Sequence, residues 1–245
     1  MREAEYETMY HVEDLHWWYR GLRALIRSSW ETHAPRSDGK ILDIGCGTGA
    51  NLALFADEIS AAGIDYSSAA LERCQRRGLT QVARADAQAL PFHSESFDGA
   101  LMMDLLYHRD VSDTALALAE AARVLRPDGL LLVNVPAYQW LYSSHDRAIH
   151  TGRRFTRPEL VALIESAGLE PLRATYWNAI LFPAIALLRL LRRNSSRQAS
   201  DLEGYGGNAI ARILGGILAL ERTAMRLGNL PFGLSIFAVA RRPAR

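Results

Sequence analysis

The apolar run Lys40-Ile41-Leu42-Asp43-Ile44 breaks into Gly45-Cys46-Gly47-Thr48-Gly49 and continues as Asn51-Leu52-Ala53-Leu54-Phe55-Ala56. Three alternate glycines are needed where a backbone must take positive φ or come into van der Waals contact with a ligand. The order therefore predicts a strand, a tight loop and a helix whose free amide groups face a nucleotide-like molecule. Two kinds of ligand compete for such a loop. Gly45, Gly47 and Ala50 have the spacing of a dinucleotide fingerprint, with Asp65 about 20 residues further on to hold a ribose hydroxyl. Asp43 argues against a dinucleotide, because its negative charge lies at the strand end where a pyrophosphate would rest. A ligand with an amino group or another positive charge would suit it.

Short apolar runs at 40–44, 60–65, 80–84, 97–103 and 129–135 alternate with helical spacing at 49–58, 67–77, 112–123 and 157–167. This alternation predicts crossover connections and a parallel sheet covered on both faces, a doubly wound Rossmann-like α/β fold. Leu169 to Tyr176 and Leu234 to Ala240 supply two more strands, for seven in all. At 245 residues with 49% hydrophobic side chains, the chain can bury a substantial core.

The segments that follow the glycine loop come in a recognisable order. Gly63-Ile64-Asp65-Tyr66-Ser67 reads as a strand ending in an acid, and Ala85-Asp86-Ala87-Gln88-Ala89-Leu90-Pro91-Phe92 as a loop. Ser96-Phe97-Asp98-Gly99-Ala100 opens a further strand, and Arg123-Val124-Leu125-Arg126-Pro127-Asp128-Gly129 leads into Leu130-Leu131-Leu132-Val133. With Asp43-x-Gly45-x-Gly47-x-Gly49, the set resembles the class I S-adenosylmethionine-dependent methyltransferases over roughly residues 40–175. The resemblance implies S-adenosylmethionine as cofactor, with Asp43 facing its amino group, Asp65 on the ribose and the loop at Asp86 and Ala87 on the adenine. Gly45, Cys46, Gly47, Gly49, Tyr66 and Met103 would complete the pocket. It also implies that the last strand inserts antiparallel between its neighbours. No metal is required.

The segment after the fifth strand, Pro136 to Thr156, holds two His, one Asp, three Arg and several aromatics, more than an ordinary crossover needs. It resembles a His-Asp-x-x-x-His-x-x-Arg-Arg pattern of a bacterial branch of the family. Open α/β sheets place ligands at the carboxyl ends of their strands. His145 is therefore the expected general base, with His150, Arg153 and Arg154 orienting an electron-rich or anionic acceptor. Tyr107, His108, Trp140 and Tyr142 would line the pocket, and Asp104 also follows the fourth strand. The alternative is structural: His145 and Asp146 cap a helix, and Arg153 and Arg154 pair with acids on the sheet.

Residues 1–36 are expected to form an N-terminal helical lid, with Trp17, Trp18 or Tyr19 either pinning a helix to the sheet or closing over the cofactor. Aromatic faces near a sulfonium gain roughly 0.5–2 kcal/mol, and Trp18 is the residue assigned to the cofactor. The core then comprises 37–178 and 232–242, and 179–231 is a helical insertion. That insertion holds an apolar run of about ten residues from Ile180 to Leu188, short of the roughly 20 needed to span a bilayer. It could cap the site, form a homodimer face, or make a peripheral membrane contact through 180–193. Beyond residue 175 ten arginines face three acids, a net charge of +7 against −6 for the rest. Cys46 and Cys74 form no disulfide framework, and the acidic N-terminus lacks a signal-like run, so a cytoplasmic location is expected.

The function these features favour is methyl transfer to an oxygen, hydroxyl or carboxyl, of a small or medium hydrophobic metabolite. N-methylation of a natural product or peptide, a nicotinamide-dependent oxidoreductase and a non-catalytic cofactor-binding scaffold at a membrane are the alternatives. Nucleic acid is not an expected partner, since the core is acidic and no base-flipping motif follows the fourth strand.

Overall fold

The computed structural model describes residues 3–34, 39–143, 146–147, 150–191 and 209–244. Seven strands form one sheet: β1 (Ile41–Ile44), β2 (Ala61–Asp65), β3 (Val82–Arg84), β4 (Phe97–Met103), β5 (Leu125–Pro136), β6 (Glu170–Trp177) and β7 (Ser235–Arg241). Their order is β3-β2-β1-β4-β5-β7-β6. β7 is antiparallel to both β5 and β6, while the remaining pairings are parallel. The reversal of strand order at β1 and β4 opens a crevice beyond their carboxyl ends, where such sheets bind ligands.

β1 is buried along its whole length, as expected of a central parallel strand. β5 begins earlier than its apolar run suggests, because Leu125 pairs with Phe97 before a register shift brings Gly99 opposite Leu130. The expected helix over 49–58 is reduced to a single 3-10 turn, Leu52–Leu54. Leu52 and Phe55, three apart and both buried, point the same way, which is the spacing of the tighter helix.

Helices α1 (Glu3–Val12), α2 (Trp17–His33), α3 (Ser68–Arg76), α4 (Thr114–Val124), α5 (Arg157–Ser166), α6 (Phe182–Leu191) and α7 (Ala209–Met225), with a second 3-10 turn at Gln139–Leu141, complete the described elements. One face of the sheet packs on α4 and α5 through Ala117, Leu118, Ala121, Leu160 and Ile164. The side chain of Asp113 caps α4 by accepting from the Leu116 N–H, and a Thr156–Glu159 capping box starts α5. The opposite face packs on α2 and α7 through Leu22, Leu25, Ile26, Trp30, Leu218 and Met225. Each such buried aliphatic side chain contributes about 1.5–3 kcal/mol. The N-terminal segment thus divides: α2 covers the sheet, and α1 with the turn after it lies over the glycine loop. No helix among the described residues is long and apolar enough to cross a membrane.

Candidate active site

β1 delivers Asp43 to the crevice between Gly63 of β2 and Leu101 of β4. Its side chain is fully buried, and neither carboxylate oxygen finds a hydrogen-bond partner among the described residues. Burial, followed by the charges of Asp65 and Glu13, raises its pKa from 3.8 to about 7. An orphaned acid in the interior is costly unless something charged or hydrogen-bonding meets it.

Gly45, Gly47 and Gly49 have φ of 77°, 55° and 86°. Space also demands glycine here: a Cβ on Gly45 would stand 2.8 Å from Leu105 Cδ1, and one on Gly49 2.6 Å from Leu79 Cδ1. Asp65, at the end of β2, accepts from the Gly47 N–H at 3.0 Å and the Ser67 N–H at 2.8 Å. Burial raises its pKa, opposed by those N–H groups. Tyr66 is exposed, with Arg84 over its ring. Asp86 turns back on Gln88, accepting from its backbone N–H at 2.8 Å, while Ala87 is buried. Cys46 lies 3.9 Å, sulfur to sulfur, from Cys74, whose thiol donates to the Gly47 carbonyl. The neighbouring Cys74 thiol and burial push the Cys46 thiol pKa up, which suits packing rather than nucleophilic attack.

α1 and the turn after it close over this loop. Glu13 accepts from the Thr48 hydroxyl and from Arg77 Nη2 at 2.6 Å. The Met9 methyl lies 3.1 Å from where a Gly47 Cβ would be. Tyr6 is buried, and burial followed by the nearby Asp65 charge raises its phenol pKa. On the other rim, Trp18 stacks on Trp177 at 5.6 Å, and Met103 ends β4 in a buried position.

The residue after β4, Asp104, adopts φ 58°, unusual for a non-glycine. Asn134 donates to its Oδ1 at 3.0 Å and accepts from Trp177 Nε1 at 2.7 Å, which links β4, β5 and β6. Asp104 stays half-buried, and burial raises its pKa to about 7. The sequence put less weight on Asp104 than on the histidines and did not single out Asn134 or Trp177. The signal was an amide within the apolar run Leu130-Leu131-Leu132-Val133-Asn134-Val135.

The loop after β5 folds back onto the one after β4. His108 bridges to Thr151, the Tyr107 carbonyl accepts from the Gly152 N–H at 2.7 Å, and the His108 and His150 rings stack at 6.0 Å. Burial lowers the His108 pKa, so it favours the neutral ring. Tyr107 is buried, and its phenol is raised mainly by burial. Arg154 is committed within the loop: it holds Asp146 through two N–H···O contacts of 2.8 and 3.1 Å and donates to the Ala137 carbonyl. Burial opposes ionisation of Asp146, but the Arg154 charge and the bonds to it hold its pKa below the usual range. Arg153 is exposed and lies over Phe155 at 4.3 Å. Tyr107, His108 and His150 thus come together, while Arg153 and Arg154 turn to partners in the loop. His145 lies outside the described residues.

An unpartnered buried acid, a cradle without Cβ atoms and an acid at the end of β2 have the chemistry that the amino group and ribose of S-adenosylmethionine call for.

Residues 41–129 match the family model described as Methyltransferase domain. Among curated proteins, the chain is 31% identical over 153 residues to the 27-O-demethylrifamycin SV methyltransferase of Amycolatopsis mediterranei, which covers 56% of each. Among solved structures, a SAM-dependent methyltransferase from Methanosarcina mazei aligns with TM-score 0.55 and 22% identity, covering 88% of this chain and 97% of that one. Phosphoethanolamine N-methyltransferase 2 of Haemonchus contortus, solved with S-adenosyl-L-methionine, aligns with TM-score 0.58 and 20% identity, covering 92% of this chain and 53% of that one. The chain spans between about a quarter and just over half the length of the curated relatives it matches. Over residues 41–129 the chain thus matches a methyltransferase domain, and its seven-stranded sheet has the fold of solved S-adenosylmethionine-dependent methyltransferases.

Proposed function

We propose that this protein transfers a methyl group from S-adenosylmethionine to an oxygen of a small or medium hydrophobic metabolite. The observation that carries this is Asp43, a buried carboxyl without a partner at the end of β1 beside the glycine cradle. A dinucleotide would set phosphate against that acid, and a ligand with an amino group would satisfy it. The cofactor supplies an activated methyl on a sulfonium, so the protein's work is chiefly to position and to exclude water.

Asp43, Gly45, Cys46, Gly47, Gly49, Asp65, Tyr66, Asp86, Ala87, Met103 and Trp18 form the proposed cofactor pocket. Tyr107, His108 and His150 line the acceptor side, with Arg153 at its edge and Arg154 acting through Asp146 to hold the loop. The proton of an acceptor hydroxyl goes to His145 or to a carboxylate oxygen of Asp104, whose Oδ1 Asn134 holds in place. A base of this kind is worth about 10²–10⁴-fold. Oxygen is favoured over nitrogen because these bases suit a hydroxyl, and relatives such as the rifamycin enzyme carry O-methyl transfer in their names. The hydrophobic acceptor follows from the aromatic rim at Tyr138, Trp140 and Phe182.

Calorimetric titration with S-adenosylmethionine and, separately, with a nicotinamide dinucleotide tests the proposal. Uptake of the first, abolished by Asp43→Ala in a chain that still folds, supports it; uptake of the dinucleotide alone overturns it.

A further inference from the structure

Helices α6 and α7 turn apolar side chains outward. On α7, Ala211, Leu218, Glu221 and Met225 face inward. Ile210, Ile213, Ile217, Leu220 and Ala224 follow at spacings of three and four and fall on one side of the helix, within an arc of about 100°. Ile213 and Leu220 are 64% and 66% exposed, and Leu187 of α6 is 59% exposed. An exposed apolar stripe of this kind on α7 marks a binding face.

The charge on these elements has one sign. Arg212, Arg222 and Arg226 share the side of α7 away from the outward apolar stripe. The one acid among the described residues of 179–191 and 209–231, Glu221, is buried and accepts from the Ala179 and Ile180 N–H groups. A helix with arginines on one side and a branched apolar stripe on another has the composition of a segment lying in a bilayer interface. The face also meets aromatics. The Phe182 ring lies 6.1 Å from Trp140 and 5.5 Å from Phe232, and those two are 48% and 43% exposed. Half-exposed aromatic rings favour the headgroup boundary.

We propose that the α6–α7 face docks on an anionic lipid surface, with the Ile213–Leu220 stripe entering the interface and the arginines at the level of the headgroup phosphates. Among the described residues of 179–191 and 209–231, a second copy of the chain would bring the same arginines and no exposed acid to meet them, so charge complementarity selects the lipid. α6 begins with Phe182, whose ring meets Trp140 of the loop after β5, so a docked molecule would hold this aromatic rim near the bilayer. The lipid contact goes beyond the methyl-transfer proposal and does not depend on it.

The test is co-sedimentation of the full chain with vesicles of phosphatidylcholine, alone or with roughly a third phosphatidylglycerol. Light scattering gives the oligomeric state, and calorimetry with S-adenosylmethionine reports on the other proposal in the same preparation. The expected result is binding to the anionic vesicles, weaker at high salt and lowered about tenfold or more by Ile213→Glu or Leu220→Glu. Both positions are exposed, so these variants keep their circular dichroism; Leu187→Glu is a second site on the other helix. Binding unchanged in all three variants, no binding to either vesicle, or a dimer that Leu220→Glu splits into monomers would each overturn the proposal. Cofactor uptake that persists when lipid binding fails leaves the methyl-transfer proposal standing.

Discussion

Asp43 makes opposite demands on folding and on binding. Burial lifts its pKa from the ordinary 3.8 to about 7, so between those pH values the folded chain holds a proton that the unfolded chain has lost. Its contribution to stability is therefore greatest below pH 3.8, falls as pH rises and levels off at its least favourable above about 7. Asp43→Asn removes the buried charge and should stabilise the empty protein at pH 8 by about 2 kcal/mol, read from urea midpoints. The same change should weaken S-adenosylmethionine binding by at least tenfold. In the native chain, affinity should rise about tenfold per pH unit up to pH 7 and then flatten, with proton release visible as a dependence of binding heat on the buffer. A flat affinity between pH 5.5 and 7.5 would remove Asp43 from the cofactor site. Burial lifts Asp104 into the same window, with the Asn134 amide pulling the other way. Asp104→Asn should spare cofactor affinity while lowering turnover and flattening the acid limb of its pH profile.

Among the elements, α1 and the loop after β5 are held chiefly by ion pairs. Glu13 and Arg77 meet with side chains 5% and 14% exposed, and Glu7 pairs with Arg73 at 2.7 Å. Breaking a buried pair from one side leaves the other charge stranded, at a cost of about 3 kcal/mol. Arg77→Met should therefore loosen α1, seen as faster hydrogen exchange over residues 3–12 and faster cofactor release; unchanged exchange would mean that α1 is held by Tyr6 and Met9 alone. Asp146→Asn should do the same to the loop after β5, lowering turnover more than cofactor affinity. The strands, α3 to α5 and the glycine loop were legible because each is written in local spacing: period two, period 3.6, caps and turn residues. The commitment of Arg154 to Asp146 was not, since a guanidinium reads alike whether it faces a ligand or its own loop. Nor was the division of the N-terminus, because the burial of α2 depends on Trp30 meeting Gly99, far along the chain.

Across the whole molecule, the insertion is part of the core as well as a surface. α7 packs on α2 so closely that a Cβ on Gly21 would stand 2.4 Å from Leu218 Cδ1, and Leu218 and Met225 join Leu22, Ile26 and Trp30 in one cluster. Sequence spacing showed that α7 is apolar but could not show which of its two apolar stripes meets the domain, since both have helical period and the partner lies nearly two hundred residues away. The structure separates them: 211, 218 and 225 inward, 213 and 220 outward. The two stripes should therefore answer differently to substitution. Leu218→Ala opens a cavity between α2 and α7 and should cost about 2–4 kcal/mol, lowering the melting temperature by roughly 5–15 °C for a chain of this size. Leu220→Ala, two residues on and exposed, should fall within about 0.5 kcal/mol of the parent. Calorimetric scans of both variants check this. If Leu218→Ala melts with the parent, α7 is a detachable cap; if it melts early, α7 is a structural part of the domain, and its packing on α2 holds its outward stripe in place.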